Sequence, residues 1–172
     1  VPDEAWPRVV AELYRVCKPG GLVELLEADV SFQVPTPETR QLMAVYASIL
    51  RQASGNEAEA VQHLDLLMEL TGFSDIQKQI INVPAGEWGE AIGRGLGRLA
   101  ESYFRTFRAM VAQYELLDLG EYDELVDHCF GNIDELRGYI AYYVNVGQKP
   151  NGKQGRSNPT MSTSCPIQKY MS

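Results

Sequence analysis

Two carboxylates, Glu27 and Asp29, stand at the end of the apolar run Leu22-Val23-Glu24-Leu25-Leu26. Acids at the exit of a buried strand can orient a polar substrate or take its proton. The plainer reading is that one of them caps a turn or pairs with an arginine such as Arg40. Trp88, beside Pro84-Ala85-Gly86, can wall a substrate pocket, although a tryptophan on an apolar stripe also serves as core. Gly93-Arg94-Gly95-Leu96-Gly97 has the look of a loop that brings backbone close to a nucleotide. That chemistry requires a hydrophobic strand directly before the glycines, and Gly86-Glu87-Trp88-Gly89-Glu90-Ala91-Ile92 is not one. The apolar spacing also continues straight through Ile92 and Leu96, so the glycines read as helix positions. There they weaken the helix by about 1 kcal/mol each against alanine, or admit close packing. His63 and His128 lie far apart among acids, and Cys17, Cys129 and Cys165 have no metal-ligand spacing, so no metal site is expected.

The elements that position these residues follow from periodicity and punctuation. Trp6, Val9, Val10, Leu13, Val16 and Cys17 recur at helical spacing, predicting a helix over 3–18 with Asp3 as N-cap and Pro7 in the first turn. Lys18 suits the negative end of that helix, Pro19 cannot continue it, and Gly20-Gly21 can close it. A strand follows over 22–30, apolar enough to be covered on both faces. Val34-Pro35 is an extended connection, and Thr36-Pro37 opens a helix that runs to about 53 and breaks at Ser54-Gly55-Asn56. A helix over 57–71 ends at Gly72, and a strand over 73–83 ends at Pro84-Ala85-Gly86. Trp88, Ile92, Leu96, Leu99, Tyr103, Phe107, Met110, Tyr114 and Leu117 mark one long amphipathic helix, bent near its glycines and stopped by Gly120. A short helix over 121–130 and a strand over 139–146 complete the body. No internal repeat is present.

The pattern Trp6, Glu12-Leu13, Arg15-Val16, Lys18-Pro19-Gly20-Gly21, hydrophobic strand, Glu27 resembles the late core motif of class I S-adenosylmethionine-dependent methyltransferases, most of all the fungal type. Gly72-Phe73-Ser74-Asp75-Ile76 and a closing strand ending Gly147-Gln148-Lys149-Pro150 continue the resemblance, which covers roughly residues 1–150. It implies an α/β fold: the C-terminal half of a Rossmann-like seven-stranded methyltransferase sheet, with a large helical insertion. Three strands are expected, the last antiparallel and wedged between the other two. It further implies S-adenosylmethionine as cofactor, held mainly by a preceding half of the fold, and a small-molecule acceptor between the 37–71 and 86–130 helices. Glu27 and Asp29 then fall at the carboxyl end of a parallel strand, where open α/β sheets bind ligands. Glu12, Arg15 and Glu24 have only the motif to speak for them. Because the chain starts with Val1 and the resemblance starts in mid-fold, a fragment that is inactive by itself is expected.

Composition narrows the partners. Residues 1–148 hold 11 Lys/Arg against all 23 Asp/Glu, a net charge of −12 in a chain whose total is −8. An acidic body repels phosphate backbones, so nucleic acid is a poor substrate. Residues 149–172 carry four cations and no acid among Pro, Gly, Ser, Asn and Thr, and are expected to form a disordered polar tail. There is no signal peptide pattern and no apolar run of spanning length, so no membrane partner is expected. Three unpaired cysteines suit a reducing, cytoplasmic setting. A different reading is a non-catalytic α/β interaction module that self-associates through an uncovered sheet edge.

Overall fold

The computed structural model describes residues 1, 3–29, 36–54 and 60–152. Val30 of the expected strand, Val34-Pro35 of the expected connection, Gly55-Asn56 of the expected break, residues 57–59 of the expected helix and 153–172 of the expected tail lie outside the described residues. The chain forms two compact units. One comprises Val1–Asp29, Ala58–Ile81 and Tyr142–Ser172; the other comprises Val30–Glu57 and Asn82–Ala141.

The first unit carries helices α1 (Trp6–Val16) and α3 (Leu64–Thr71) and strand β1 (Leu22–Asp29). It also carries most of β2 (Ser74–Pro84) and β3 (Tyr139–Gln148). The strand order is β1-β3-β2. Lys149 meets Gly20 and Gly21 at the head of β1, and Gln148 meets Ser74 at the head of β2, so β3 runs antiparallel to both. The wedged, antiparallel last strand expected from the sequence is therefore observed. Trp6, Val10, Leu25, Leu64, Leu67, Met68 and Phe73 form the core that joins α1 and α3 to the sheet. Burying each large side chain contributes about 1.5–3 kcal/mol.

Several terminal details differ from expectation. A short 3-10 turn, Asp3–Ala5, precedes α1, and Ala5 rather than Asp3 occupies the N-cap position. Lys18 lies past the helix end, and Lys149 takes over its expected task. The Lys149 ammonium donates to the carbonyls of Tyr14 (2.7 Å) and Cys17 (2.8 Å) and sits 4.6 Å from the Tyr14 ring centroid. These are the carbonyls that a helix leaves without internal partners. Gly20 takes φ +75°, which turns its N–H onto the Lys149 carbonyl at 2.7 Å. β1 is not covered on both faces: Leu25 is buried, while Leu22 is 68% and Leu26 56% exposed.

The second unit is helical. α2 (Pro37–Ser54) opens as predicted, with the Thr36 hydroxyl accepting from the Thr39 N–H at 3.1 Å. The predicted long helix is three pieces: a 3-10 turn Glu87–Gly89, α4 (Glu90–Thr106) and α5 (Arg108–Gln113). It breaks at Gly89–Glu90 and at Phe107, and runs unbroken through Gly93–Gly97. α6 (Leu119–Gly131) is capped by the Asp118 carboxylate, which accepts from the N–H groups of Gly120 (2.8 Å) and Glu121 (3.3 Å). Gly120 thus starts this helix instead of stopping the previous one. Tyr46, Phe104, Phe107 and Phe130 pack with ring centroids 5.4–6.3 Å apart where they touch, and the Tyr122 hydroxyl donates to the Phe104 carbonyl at 2.7 Å.

The largest departure concerns the buried face of α4. Gly93, Gly97, Ala100 and Phe104 are buried, whereas Ile92 is 73% and Leu99 65% exposed. A Cβ on Gly93 would stand 2.3 Å from the Gly86 carbonyl oxygen, and one on Gly97 3.1 Å from the Gly86 nitrogen. The glycines are where α4 meets backbone, and the apolar stripe faces outward.

Candidate functional site

Strand alternation puts Leu25, Glu27 and Asp29 on one face of β1. Leu25 points into the α1–α3 core, so the two acids share the helix-covered side of the sheet. Asp29 is 9% exposed and accepts a hydrogen bond from the Gln62 amide at 3.0 Å. Gln62 sits in a 3-10 turn, Ala60–His63, that leads into α3. Its backbone carbonyl accepts from the Lys78 ammonium at 2.6 Å, and Lys78 also pairs with Asp65 at 3.0 Å. The same ammonium lies 5.7 Å from the ring centroid of Tyr143 on the central strand. The Tyr143 hydroxyl is pushed up from its ordinary pKa, by burial first and by the Asp29 charge second.

The first unit thus contains a connected polar layer running from Asp29 through Gln62 and Lys78 to Asp65, with Tyr143 beside it. Asp29 is the buried, hydrogen-bonded member. Glu27, two residues earlier, is half-buried with no ion pair or side-chain hydrogen bond among the described residues. A half-buried carboxylate with free lone pairs can accept a proton, whereas a bonded one fixes its neighbours. A cleft of about 380 Å³ opens beside Asp65 and is lined in part by Glu69, Phe73 and Asp75.

Sequence reasoning singled out Glu27 and Asp29 but not their neighbours Gln62, Lys78 and Tyr143. Lys78 did leave a signal: it is a lone cation between Ile76 and Ile80 on one face of a strand. Gln62 and Tyr143 left none, because their relation to Asp29 exists only once β3 lies between β1 and β2. Asn145, also on β3, is fully buried with both ends of its amide unpartnered among the described residues.

Trp88 belongs to the second unit. Its indole N–H donates to the Gly138 carbonyl at 3.2 Å, its backbone N–H donates to the Asp134 carboxylate at 3.1 Å, and the Arg137 guanidinium lies 5.8 Å from its ring. The ring is 36% exposed, so it is a pinned surface group and not plain core. Gly93–Gly97 lies wholly inside α4. Its backbone amides are spent on helix bonds and two of its glycines face Gly86, so this segment does not fit a cofactor cradle. Among the described residues no group of three His, Cys, Asp or Glu side chains could hold a metal ion. No described helix is long and apolar enough to cross a membrane.

No protein-family model matches the chain. It is 35% identical over 75 residues to the acetylserotonin O-methyltransferase of Gallus gallus, a stretch covering 44% of this chain. That stretch spans 21% of the relative's length. A solved structure of Haemonchus contortus phosphoethanolamine N-methyltransferase 2, in complex with phosphomonomethylethanolamine and S-adenosylhomocysteine, aligns with a TM-score of 0.39 at 15% identity. The alignment covers 86% of this chain and 31% of that one. The sequence similarity supports a methyltransferase class.

Proposed function

We propose that this chain is the late part of a class I, fungal-type S-adenosylmethionine-dependent methyltransferase that acts on a small molecule in the cytoplasm. The observation that carries the reading is the Lys-Pro-Gly-Gly corner feeding β1, with β3 inserted antiparallel between β1 and β2. The 35% identity to an O-methyltransferase supports it independently. The cofactor supplies an activated methyl group when bound. Because Gly93–Gly97 does not fit it, the reading assigns the cofactor to a preceding half of the seven-stranded sheet.

Methyl transfer requires little covalent help. The protein aligns the nucleophile and, where the acceptor carries a proton, removes it. Glu27 is the base in this reading. Asp29 acts through Gln62 as a positioning group. This reading assigns acceptor binding to Trp88 and the 37–71 and 86–130 helices.

Calorimetry tests the assignment. The 172-residue chain is expected to give no heat with S-adenosylmethionine, and a longer protein that includes the preceding sequence is expected to bind it. Tight binding by the 172 residues would overturn the division of labour. Absence of binding by the longer protein would overturn the methyltransferase reading. In that longer protein Glu27→Gln should lower kcat by about 10²-fold or more, as loss of a general base does.

A further inference from the structure

We propose that a single water molecule is held inside the first unit, bridging the Trp6 indole on α1 and the Asn145 amide on the middle strand β3. Trp6 is 2% and Asn145 0% exposed. The Trp6 indole nitrogen and both polar atoms of the Asn145 amide have no hydrogen-bond partner among the described residues. Buried donors and acceptors are destabilising unless paired, so two such side chains in one unit call for a common partner. They face the same core. Strand alternation puts Asn145 on the face of β3 that carries Gly147. A Cβ on Gly147 would stand 2.7 Å from Met68 Cε and 3.2 Å from Phe73 Cβ. Met68 and Phe73 share one cluster with Trp6.

The two side chains also lie at the same level of the unit. Helix α1 and strand β3 both run toward the Gly20 corner, where the Lys149 ammonium bonds the Tyr14 carbonyl. Backing up α1 from Tyr14 to Trp6 covers about 12 Å. Backing up the chain from Lys149 to Asn145 covers about 13 Å. No direct hydrogen bond joins the two side chains, and a bridging water spans such a gap at little cost. The chemistry of the three atoms selects water. The occupant must accept from the Trp6 N–H and from the Asn145 amide N–H, and must donate to Asn145 Oδ1. A metal cation cannot accept those protons, and a simple anion has none to give. Water does both, and three polar partners match the usual coordination of a buried water, about 3 hydrogen bonds.

Water-selective NMR on the 172-residue chain tests the site. The chain holds two tryptophans, so Trp88→Phe identifies the Trp6 indole resonance. The Trp6 indole proton and an Asn145 side-chain amide proton are expected to show cross-peaks at the water frequency, with NOE and ROE of opposite sign. That pattern marks a water that tumbles with the protein, as distinct from proton exchange or surface hydration. Absence of either cross-peak, or peaks with the sign of exchange or surface water, would overturn the proposal. Asn145→Leu, close in volume and without polar atoms, is expected to abolish the water cross-peak of the Trp6 proton while leaving the circular dichroism unchanged. A Trp6 cross-peak of undiminished intensity in that folded variant would overturn the bridge. The measurement on the unsubstituted chain decides the matter even if Asn145→Leu does not fold.

Discussion

The two glycine-rich segments use the absence of a side chain in opposite ways. At Gly20, in the Lys18–Gly21 corner, the requirement is conformational: Gly20 holds φ +75° so that the chain turns into β1. In α4 the requirement is spatial: Gly93 has ordinary helical geometry, and what it lacks is room, with the Gly86 carbonyl 2.3 Å from where a Cβ would sit. The element before the glycines separates the cases. A helix that must stop calls for a turn, and a helix that carries on calls for a neighbour.

Substitutions sharpen or break this contrast. Gly93→Ala should have the largest effect, a loss of about 3 kcal/mol in urea unfolding, because the obstacle is backbone and cannot rotate away. A neutral result would show that the α4 glycines are not contact residues. Lys149→Met should cost about 2 kcal/mol, since two α1 carbonyls lose a charged donor. Gly20→Ala should cost about 1–2 kcal/mol, the left-handed penalty, because its space is blocked only by the mobile end of Asn151. A far larger loss would mean that Gly20 too is limited by room. Gly95→Ala, in open space, should instead raise the urea midpoint, by about 0.5–1 kcal/mol in helix propensity.

The smallest effect near neutrality is on pH. Burial pushes the Cys129 thiol up to about 11 from 9.0 and the Tyr122 hydroxyl to about 12 from 10.0. A folded-state value raised above the unfolded one adds stability that is complete below pH 9 and drains away as pH rises towards 11. The urea midpoint should be flat from pH 7 to 9 and then fall. A fall that begins below pH 8 would assign the loss to other groups.

Element boundaries were legible in the sequence because local chemistry sets them. Thr36-Pro37 starts α2 and Gly72 ends α3 with φ +110°, while α1 ends at Val16, before the Pro19-Gly20 turn that was expected to close it. The orientation of α4 was not legible. Periodicity counts apolar side chains, and a face buried through glycine contributes none to the count. Nor was the break at Phe107, where no proline or glycine interrupts the helix. Glu27 and Asp29 could be placed at a strand end from sequence alone. Their environment could not, because Gln62, Lys78 and Tyr143 gather only through strand order, and Lys149 reaches Tyr14 across 135 positions.

That long reach has a consequence for biosynthesis. β3 is the strand bonded to both of the others, and its last residues latch the first corner. A ribosome therefore extrudes β1 and β2 well before the piece that joins them exists. Through most of translation both must be kept from pairing wrongly. Nascent chains arrested ahead of residue 139 should be cut readily by protease, and those released past Lys149 should resist.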